Sequence, residues 1–301
     1  MKLAMNMLAL AAAATAHYTF DRLQVNGEVQ GDSWQYVREH TRGYMPTKGQ
    51  QILEDDFRCQ PGGASGANTD VYTVKGGDTV KLLGAFGMTS IEHPGPAQVY
   101  MSKAPSNDVK TYDGSGDWFK VREAYVYPCA SPETIANHFT RYFSTLCTPV
   151  AGNDDILTTA WCTWGQDGIE FVVPSRLPDG EYLTRVEHIP LHGAQGSSTG
   201  AEYYYSCAQL KIEGNTGKTW LPTRTAKIPG MIQPGDDGVI FNIWDSKITE
   251  YPYAPGSELI VGGTAWGSKN GNSDGIVKSV ARRAARWVGS AAAQARELMD
   301  S

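Results

Sequence analysis

Short runs of apolar and β-branched residues alternate with turn residues along most of the chain. The clearest runs are Thr79–Leu83, Ala97–Met101, Gly168–Val173, Tyr182–Ile189, Ala201–Ile212 and Gly238–Ile243. Clusters of Gly, Pro, Asp and Asn separate them, and strands spaced in this way are typical of an all-β fold. The pattern therefore predicts a β-sandwich with long loops over residues 17–263.

The first sixteen residues have a different pattern. Lys2 supplies a positive charge, Ala4–Ala14 is almost wholly apolar, and Ala14–Ala16 offers the small residues that a signal peptidase requires. These are the parts of a secretory signal peptide rather than of a buried helix in a cytosolic protein. We therefore expect residues 1–16 to be removed after Ala16, so that a secreted protein begins at His17.

The last residues, 264–301, predict a linker and a helical tail. Gly267–Gly275 is rich in Gly, Ser and Asn, as flexible linkers are. Apolar residues then recur at helical spacing, with basic residues on the other faces: Ile276, Val280, Ala284, Val288 and Ala291. Such a helix could contact a membrane surface or a partner, although a solvated tail is the better interpretation.

Composition supports the all-β prediction and excludes one class of partner. The chain has 33 Gly and 16 Pro, which suits many turns. Its formal net charge of −6 disfavours nucleic-acid binding. It has five Cys, and because export makes disulfides plausible, this odd number leaves at least one thiol outside intrachain pairs.

Two histidines could hold a metal ion. Cleavage after Ala16 would give His17 a free α-amino group beside its own imidazole, and the two nitrogens can chelate one ion. Such nitrogen donors suit Cu(II). His93 could supply a further nitrogen, because Pro94 and Pro96 stiffen the loop that carries it. Either histidine alone could equally be an ordinary surface residue.

The run Ala201–Cys207 could bring more polar groups to the same place. Side chains alternate across a strand, so Glu202, Tyr204 and Ser206 share one face while Cys207 lies on the other. We therefore expect Glu202 and Tyr204 to reach a common site and Cys207 to face the core, although an ordinary aromatic strand would show the same pattern.

Six separated motifs together resemble one known family. In order they are His17–Phe20, Asp56–Cys59, His93–Met101, Tyr182–His192, Tyr204–Gln209 and Ile240–Ile243. They are similar to the lytic polysaccharide monooxygenases of auxiliary-activity family nine, formerly glycoside hydrolase family sixty-one. The resemblance extends from His17 to about residue 260. It implies an immunoglobulin-like or fibronectin-like antiparallel β-sandwich with long loops and a flat, copper-centred face.

The resemblance also implies the residues of the site. His17, through its amine and ring, and His93 would bind one copper ion, with Tyr204 as the axial ligand. His192 would steady bound oxygen species, and Glu202 stands where the family usually has glutamine. A glutamine can donate an N–H, whereas Glu202 could do so only if it were protonated; burial and the metal's charge act on it in opposite directions.

The position of His192 is a second departure. The stretch between His192 and Glu202 is one residue longer than in the family, so His188 is an alternative candidate for the same role. An ordinary strand histidine is the preferred interpretation of His188.

The resemblance assigns one disulfide. Cys59 and Cys207 match the pair that joins parts of the family's sandwich. Cys129, Cys147 and Cys162 have no counterpart. We expect one further bridge among these three, with the pairing left open.

Aromatic side chains are the expected contacts to the polysaccharide, because planar rings cover the apolar faces of sugars. Trp34, Tyr36, Tyr251 and Tyr253 lie in loops that resemble the family's surface loops. Each could equally be packed within its loop.

The function implied is oxidative cleavage of cellulose or a related β-glucan by a monomer, through C1 or C4 hydroxylation. The partners implied are oxygen or hydrogen peroxide and an electron donor: a small phenol, an ascorbate-like reductant or a cellobiose dehydrogenase. One alternative is a non-catalytic copper-binding protein. Another is a glycoside hydrolase, which needs two carboxylates flanking the bond; Asp117, Glu123 and Glu187 are available.

Overall fold

The computed structural model describes residues 17–85, 88–125, 154–158, 160–246, 251, 255–256 and 259–266. The predicted signal peptide and the predicted helical tail lie outside these residues. The described strands are β1 (Phe20–Val25), β2 (Glu28–Gln30), β3 (Thr47–Lys48), β4 (Tyr72–Lys75), β5 (Thr79–Gly84), β6 (Ala97–Lys103), β7 (Phe119–Ala124), β8 (Gly168–Val172), β9 (Gly180–His188), β10 (Glu202–Glu213) and β11 (Leu259–Trp266). The helices described in the same residues are short 3₁₀ segments, at Gly49–Leu53, Asp55–Phe57, Pro105–Asn107 and Asp154–Leu157.

The strands form two sheets. The smaller has the order β2-β1-β5-β8, and the larger has the order β11-β7-β6-β9-β10-β3, with β4 also paired to β10. Pairing is antiparallel except between β4 and β10 and between β7 and β11, which are parallel. The predicted β-sandwich is confirmed, with these two parallel pairs added to its antiparallel plan.

The space between the sheets holds the main core. Leu23, Val80 and Phe171 of the smaller sheet are buried against residues of the larger sheet such as Val99 and Val186. These are the inward members of alternating strand patterns. Each such side chain contributes about 1.5–3 kcal/mol by leaving water, so this core fixes how the sheets face each other.

The outer face of the larger sheet is covered as well. Tyr100, Leu183 and Tyr205 on that face are buried with Trp118 and Trp161 from the connecting segments. β6 and β9 are accordingly buried over most of their length, and polar side chains of β9 such as Arg185 and Glu187 are buried as an ion pair. The strand ends and loops are left to carry exposed polar chemistry.

Five of the six predicted strand runs match strands, and the sixth is wrong. Gly238–Ile243 forms turns, with the N–H groups of Val239 and Ile240 both bonded to the carbonyl oxygen of Asp236. Val239 and Ile243 are buried in the core on the outer face of the larger sheet. The apolar residues of this run therefore anchor a loop instead of alternating across a sheet.

The cysteines behave as the family resemblance implies where they are described. Cys59 and Cys207 form a disulfide bond that links the segment after Asp55–Phe57 to β10. Cys162 is buried. Cys129 and Cys147 lie outside the described residues, so a second bridge stays a prediction.

The sheet continues slightly beyond the predicted end of the domain. Residue 263 falls inside β11, which pairs with β7 as far as Trp266. Within the described residues, none of the helical segments has the length and apolar character needed to cross a bilayer.

Candidate metal site

The register of three neighbouring strands brings distant parts of the chain to one edge of the sandwich. His188 at the end of β9 pairs with Ala97 at the start of β6 and with Tyr204 near the start of β10. The loop that carries His93 leads into β6, and the segment that carries His192 follows β9. These two segments therefore meet beside the first residues of β10.

The His93 loop is held by close backbone contacts. The N–H of Leu191 donates to the carbonyl oxygen of Pro94 at 2.8 Å. A Cβ added to Gly95 would lie 2.0 Å from the carbonyl oxygen of Ile189, so only glycine allows this approach. The loop is therefore fixed against the segment that follows β9, and His93 has a defined position.

His17 is positioned by the residue that follows it. The buried ring of Tyr18 stacks on the ring of Tyr204, with centroids 4.2 Å apart and planes inclined by 21°. The His17 ring then lies 6.4 Å from the Tyr204 ring, and the His93 ring lies 6.2 Å from it on the same centroid measure. Both predicted copper-binding histidines thus lie beside the predicted axial tyrosine.

A tighter group of ligand atoms lies next to them. Nitrogen and carboxylate oxygen atoms of His93, His192 and Glu202 are all within 4.8 Å of one another. The rings of His93 and His192 are 4.6 Å apart, and His192 Nδ1 is buried with no hydrogen-bond partner among the described residues. His17 is not in this group. Nitrogen-rich donors of this kind fit a copper ion, so the residues present are suitable ligands.

Glu202 is ionised and paired. Its Oε1 lies 2.6 Å from Lys48 Nζ, and its Oε2 accepts a hydrogen bond of 2.7 Å from the Tyr204 hydroxyl. Burial alone would raise the pKa of Glu202, but the hydrogen bonds from Lys48 and Tyr204 outweigh it and hold the pKa below its ordinary value. The structure therefore favours the carboxylate over the protonated acid.

His192, rather than His188, is available to a ligand. His188 is fully buried, and its Nε2 lies 3.2 Å from the carbonyl oxygen of Gly95, an acceptor only, so Nε2 carries the proton. Its Nδ1 then accepts a hydrogen bond from the Tyr18 hydroxyl. Burial, with a smaller contribution from nearby His93, lowers the pKa of His188 to about 3. By contrast, the His192 side chain is 35% exposed.

Of the four predicted sugar-contacting aromatics, the three that the structure describes are packed against the protein interior. Tyr251 is 5% exposed, and its hydroxyl donates to the carbonyl oxygen of Gly238. Trp34 and Tyr36 are partly buried against the inter-sheet core. Tyr253 lies outside the described residues. Loop packing explains the three described side chains, because each fills space beside a core.

Two other aromatic side chains lie at the site and were not predicted from the sequence. Trp244 is 55% exposed, and its indole N–H donates to the carbonyl oxygen of His192 at 2.8 Å. Tyr44 is 52% exposed, and its ring lies 6.3 Å from the His17 ring. The only sequence signal was that Trp244 directly follows one of the six family motifs.

The carboxylates of the hydrolase alternative do not form a catalytic pair. Glu187 is fully buried against Arg185 at 2.6 Å, and Glu123 is buried against Lys120. The remaining candidate, Asp117, is exposed. Buried and ion-paired carboxylates cannot flank a glycosidic bond, so the structure offers no support for hydrolysis by these residues.

The fold and the site together define a β-sandwich protein with a histidine-rich group of candidate metal ligands at one edge. Residues 17–253 match the model of Auxiliary Activity family 9 (formerly GH61). The chain belongs to this family of lytic polysaccharide monooxygenases, which are copper-dependent oxidoreductases that cleave polysaccharides by oxidation.

Curated relatives agree. AA9 family lytic polysaccharide monooxygenase G of Aspergillus tamarii is 40% identical over 260 residues, covering 86% of this chain and 70% of the relative. AA9 family lytic polysaccharide monooxygenase A of Aspergillus fumigatus is 41% identical over 272 residues, covering 87% and 83%.

Solved structures agree on the fold. A cellulose-active polysaccharide monooxygenase from M. thermophila superposes with a TM-score of 0.60 at 26% identity, covering 82% of this chain and 100% of that one. A glycoside hydrolase family 61 member from Hypocrea jecorina has a TM-score of 0.60 at 21% identity, covering 81% and 100%, and supports the fold alone.

Proposed function

We propose that the mature protein begins at His17, is secreted, and hydroxylates C1 or C4 of glycosidic links in cellulose or a related β-glucan. The observation that carries the proposal is the convergence of His17, His93 and His192 around Tyr204. Their rings lie 6.4 Å (His17 to Tyr204), 6.2 Å (His93 to Tyr204) and 4.6 Å (His93 to His192) apart. The catalytic domain would extend from His17 to the end of β11 at Trp266, and the residues after Trp266 would form a linker and tail.

His17, His93 and Tyr204 would hold the copper ion. Bound copper would supply the one-electron redox chemistry that activates oxygen or hydrogen peroxide for hydroxylation. The free amine of His17 exists only after cleavage, because a peptide bond to Ala16 removes its basic lone pair. Leader removal therefore completes the ligand set.

His192 and Glu202 would shape the surroundings of the reacting oxygen species. The His192 ring is partly exposed and 4.6 Å from the His93 ring, so it can donate a hydrogen bond to oxygen or peroxide beside the ligands. Glu202 accepts a hydrogen bond from the Tyr204 hydroxyl, which fixes the direction of that hydroxyl. The two residues thereby hold protons at defined atoms while the reaction proceeds.

The polysaccharide would lie across the exposed rings on either side of the site. Tyr44 lies beside His17, and Trp244 lies beside His192. Aromatic faces of this kind cover the apolar faces of pyranose rings. The M. thermophila relative is described as cellulose-active. A small phenol, an ascorbate-like reductant or a cellobiose dehydrogenase would supply the electrons, and the protein would act as a monomer.

The decisive experiment compares products. The purified protein, loaded with copper, is incubated with phosphoric-acid-swollen cellulose and a reductant, and soluble products are identified by mass spectrometry. We expect aldonic acids, C4-oxidised ends or both, and their loss in His17→Ala. Reducing sugars alone from the native protein would contradict the proposal.

A matched control tests the terminal position of His17 without removing its ring. One glycine is inserted between Ala16 and His17. After cleavage, the glycine would carry the free amine, and the His17 imidazole would belong to the second residue. We expect copper affinity, measured by calorimetry, to fall by about tenfold to a hundredfold. Equal affinity in the two proteins would show that the amine of His17 is not a ligand.

A further inference from the structure

A two-residue strand places a lysine directly against the site. β3 pairs with β10 in antiparallel register, with Lys48 opposite Glu202 and Thr47 opposite Tyr203. Directly opposed residues in such a pair project to the same face of the sheet. Lys48 Nζ accordingly reaches Glu202 Oε1, at 2.6 Å.

Glu202 depends on this lysine for its charge balance. Its side chain is only 7% exposed, and a buried carboxylate is costly without a cation or hydrogen-bond donors. Oε2 is bonded by the Tyr204 hydroxyl and lies 3.9 Å from His192 Nε2. In the described part of the chain, Lys48 and His192 are the basic side chains within ion-pair distance of Glu202.

Each bond in this series fixes the next one. Lys48 holds Oε1, which sets the orientation of the carboxylate, and Oε2 then accepts a hydrogen bond from the Tyr204 hydroxyl. With its O–H directed at Glu202, the Tyr204 oxygen directs its lone pairs elsewhere. An ammonium also has three N–H donors, so two remain after Glu202 is bonded, a donor capacity that a carboxylate lacks.

We propose that Lys48 is a positioning residue of the metal site, acting through the Glu202 carboxylate to fix the direction of the Tyr204 hydroxyl. The inference rests on the proposed function, since Tyr204 matters here as a copper ligand. Lys48 itself does not touch the metal ligands' ring nitrogens. The ion pair of Lys48 and Glu202 joins two strands, and its carboxylate stands where the family usually has a neutral side chain.

The test is the electron paramagnetic resonance spectrum of the Cu(II)-loaded protein. Lys48→Met removes the ammonium but keeps the aliphatic stem, so we expect a changed copper hyperfine coupling and a fall in oxidised-product release of about threefold to tenfold. Lys48→Arg keeps the charge and the hydrogen-bond donors, so it should retain the native hyperfine coupling and the native product release. Metal-free Lys48→Met should melt at a lower temperature than the native protein, because the buried Glu202 carboxylate loses its cation, whereas Lys48→Arg should melt close to the native protein. Thermal melts followed by circular dichroism measure this and show that both variants fold.

Lys211→Met is the matched control. Lys211 lies on β10, the strand that carries Glu202, and pairs with Glu213 at 2.5 Å. Its side chain is 45% exposed, against 48% for that of Lys48. This variant removes a lysine of matching exposure from an ion pair at the end of β10 away from the site, where the partner carboxylate is also exposed. We expect its spectrum and product release to equal those of the native protein.

A double-mutant cycle with Glu202→Gln tests whether Lys48 acts through Glu202. We expect the double variant to have the spectrum and rate of Glu202→Gln alone, since the lysine then has no carboxylate to orient. Effects that simply add, or a native spectrum in Lys48→Met, would overturn the inference while leaving the proposed function intact. Failure of the native protein to bind copper would overturn both.

Discussion

His40 is a buried histidine away from the metal site, and its environment makes it neutral. It is 8% exposed, its Nε2 is 2.9 Å from the Thr19 hydroxyl, and its ring lies edge-on to Trp34. Burial, assisted by the charge of Arg42, lowers the pKa of His40 from 6.5 to about 4. In the unfolded chain the same ring takes up a proton near its ordinary pKa, so acid favours unfolding.

This difference predicts a pH-dependent stability. As the pH falls from about 6.5 to about 4, the unfolded chain gains a proton at His40 that the folded protein resists, which costs about 3 kcal/mol of stability. His40→Gln can keep a hydrogen bond to Thr19 but cannot titrate. We expect the metal-free variant to lose about 3 kcal/mol less than the native protein between pH 7 and pH 4. Urea denaturation at the two pH values measures this, and parallel losses would contradict it.

The sequence predicted some residues of the candidate site and missed others. The sequence predicted that His17, His93 and Tyr204 would lie together, because their motifs are specific and because removal of the predicted leader would give His17 a distinctive chemistry; their roles as copper ligands stay predictions. The exposed aromatics beside the site could not be predicted, since exposure depends on which loop covers which. Tyr251 is buried while Trp244 is exposed, although both lie in turn-rich sequence.

At the scale of elements, one guanidinium joins β10 to two loops. Arg38 is fully buried, and burial lowers its pKa to about 10. Its backbone N–H donates to the carbonyl oxygen of Cys207. Its side chain donates to Gln209 Oε1 and to the carbonyl oxygens of Gly63, Ala64, Val109 and Tyr112. The Arg38 side chain thus joins β10 to the loop that contains Gly63 and to the loop that contains Val109.

Arg38→Met would leave those carbonyl groups without their donors. We expect a loss of about 3–5 kcal/mol in the free energy of unfolding, measured by urea denaturation. Arg176→Met is the control, because Arg176 is exposed and lies over the Trp220 ring; its cost should be below about 1 kcal/mol. A cost for Arg38→Met as small as for the control would show that water replaces the guanidinium.

The positions of strands were easier to predict from the sequence than the pairing between strands. Alternation in Ala201–Ile212 identified β10 and the faces of its side chains, because the period of a strand is local. The pairing of Lys48 with Glu202 joins residues far apart in the chain, and β3 is too short to show any period. The strand prediction at Gly238–Ile243 was wrong, because apolar residues buried in a loop give the same sequence pattern as a strand.

At the scale of the whole molecule, two exposed aromatic rings of the described residues lie beside the candidate metal site, Tyr44 next to His17 and Trp244 next to His192. Trp244→Ala should weaken retention on cellulose by about fivefold to tenfold, because a stacking ring is lost. Copper affinity should stay within about threefold, since the indole contacts only the backbone of His192. Pull-down on cellulose and calorimetry measure the two effects.

Trp220→Ala is the control for that prediction. Trp220 lies over Arg176, in the region before β9 begins, whereas the site is at the end of β9. Its removal should leave cellulose retention unchanged. Equal weakening in both variants would mean that loss of tryptophan, and not its position, accounts for the effect.

The stacking of Tyr18 on Tyr204 has a practical consequence for producing the protein. Tyr18, the second residue of the proposed mature chain, is packed in the core, so His17 has no flexible segment between it and the folded protein. If the proposed copper ligands are correct, affinity tags or cloning scars at the amino end would block them, and a host that trims leaders unevenly would yield a mixture of loaded and inert molecules. Purification handles belong at the carboxyl end, and mass analysis of the intact chain should precede every activity assay.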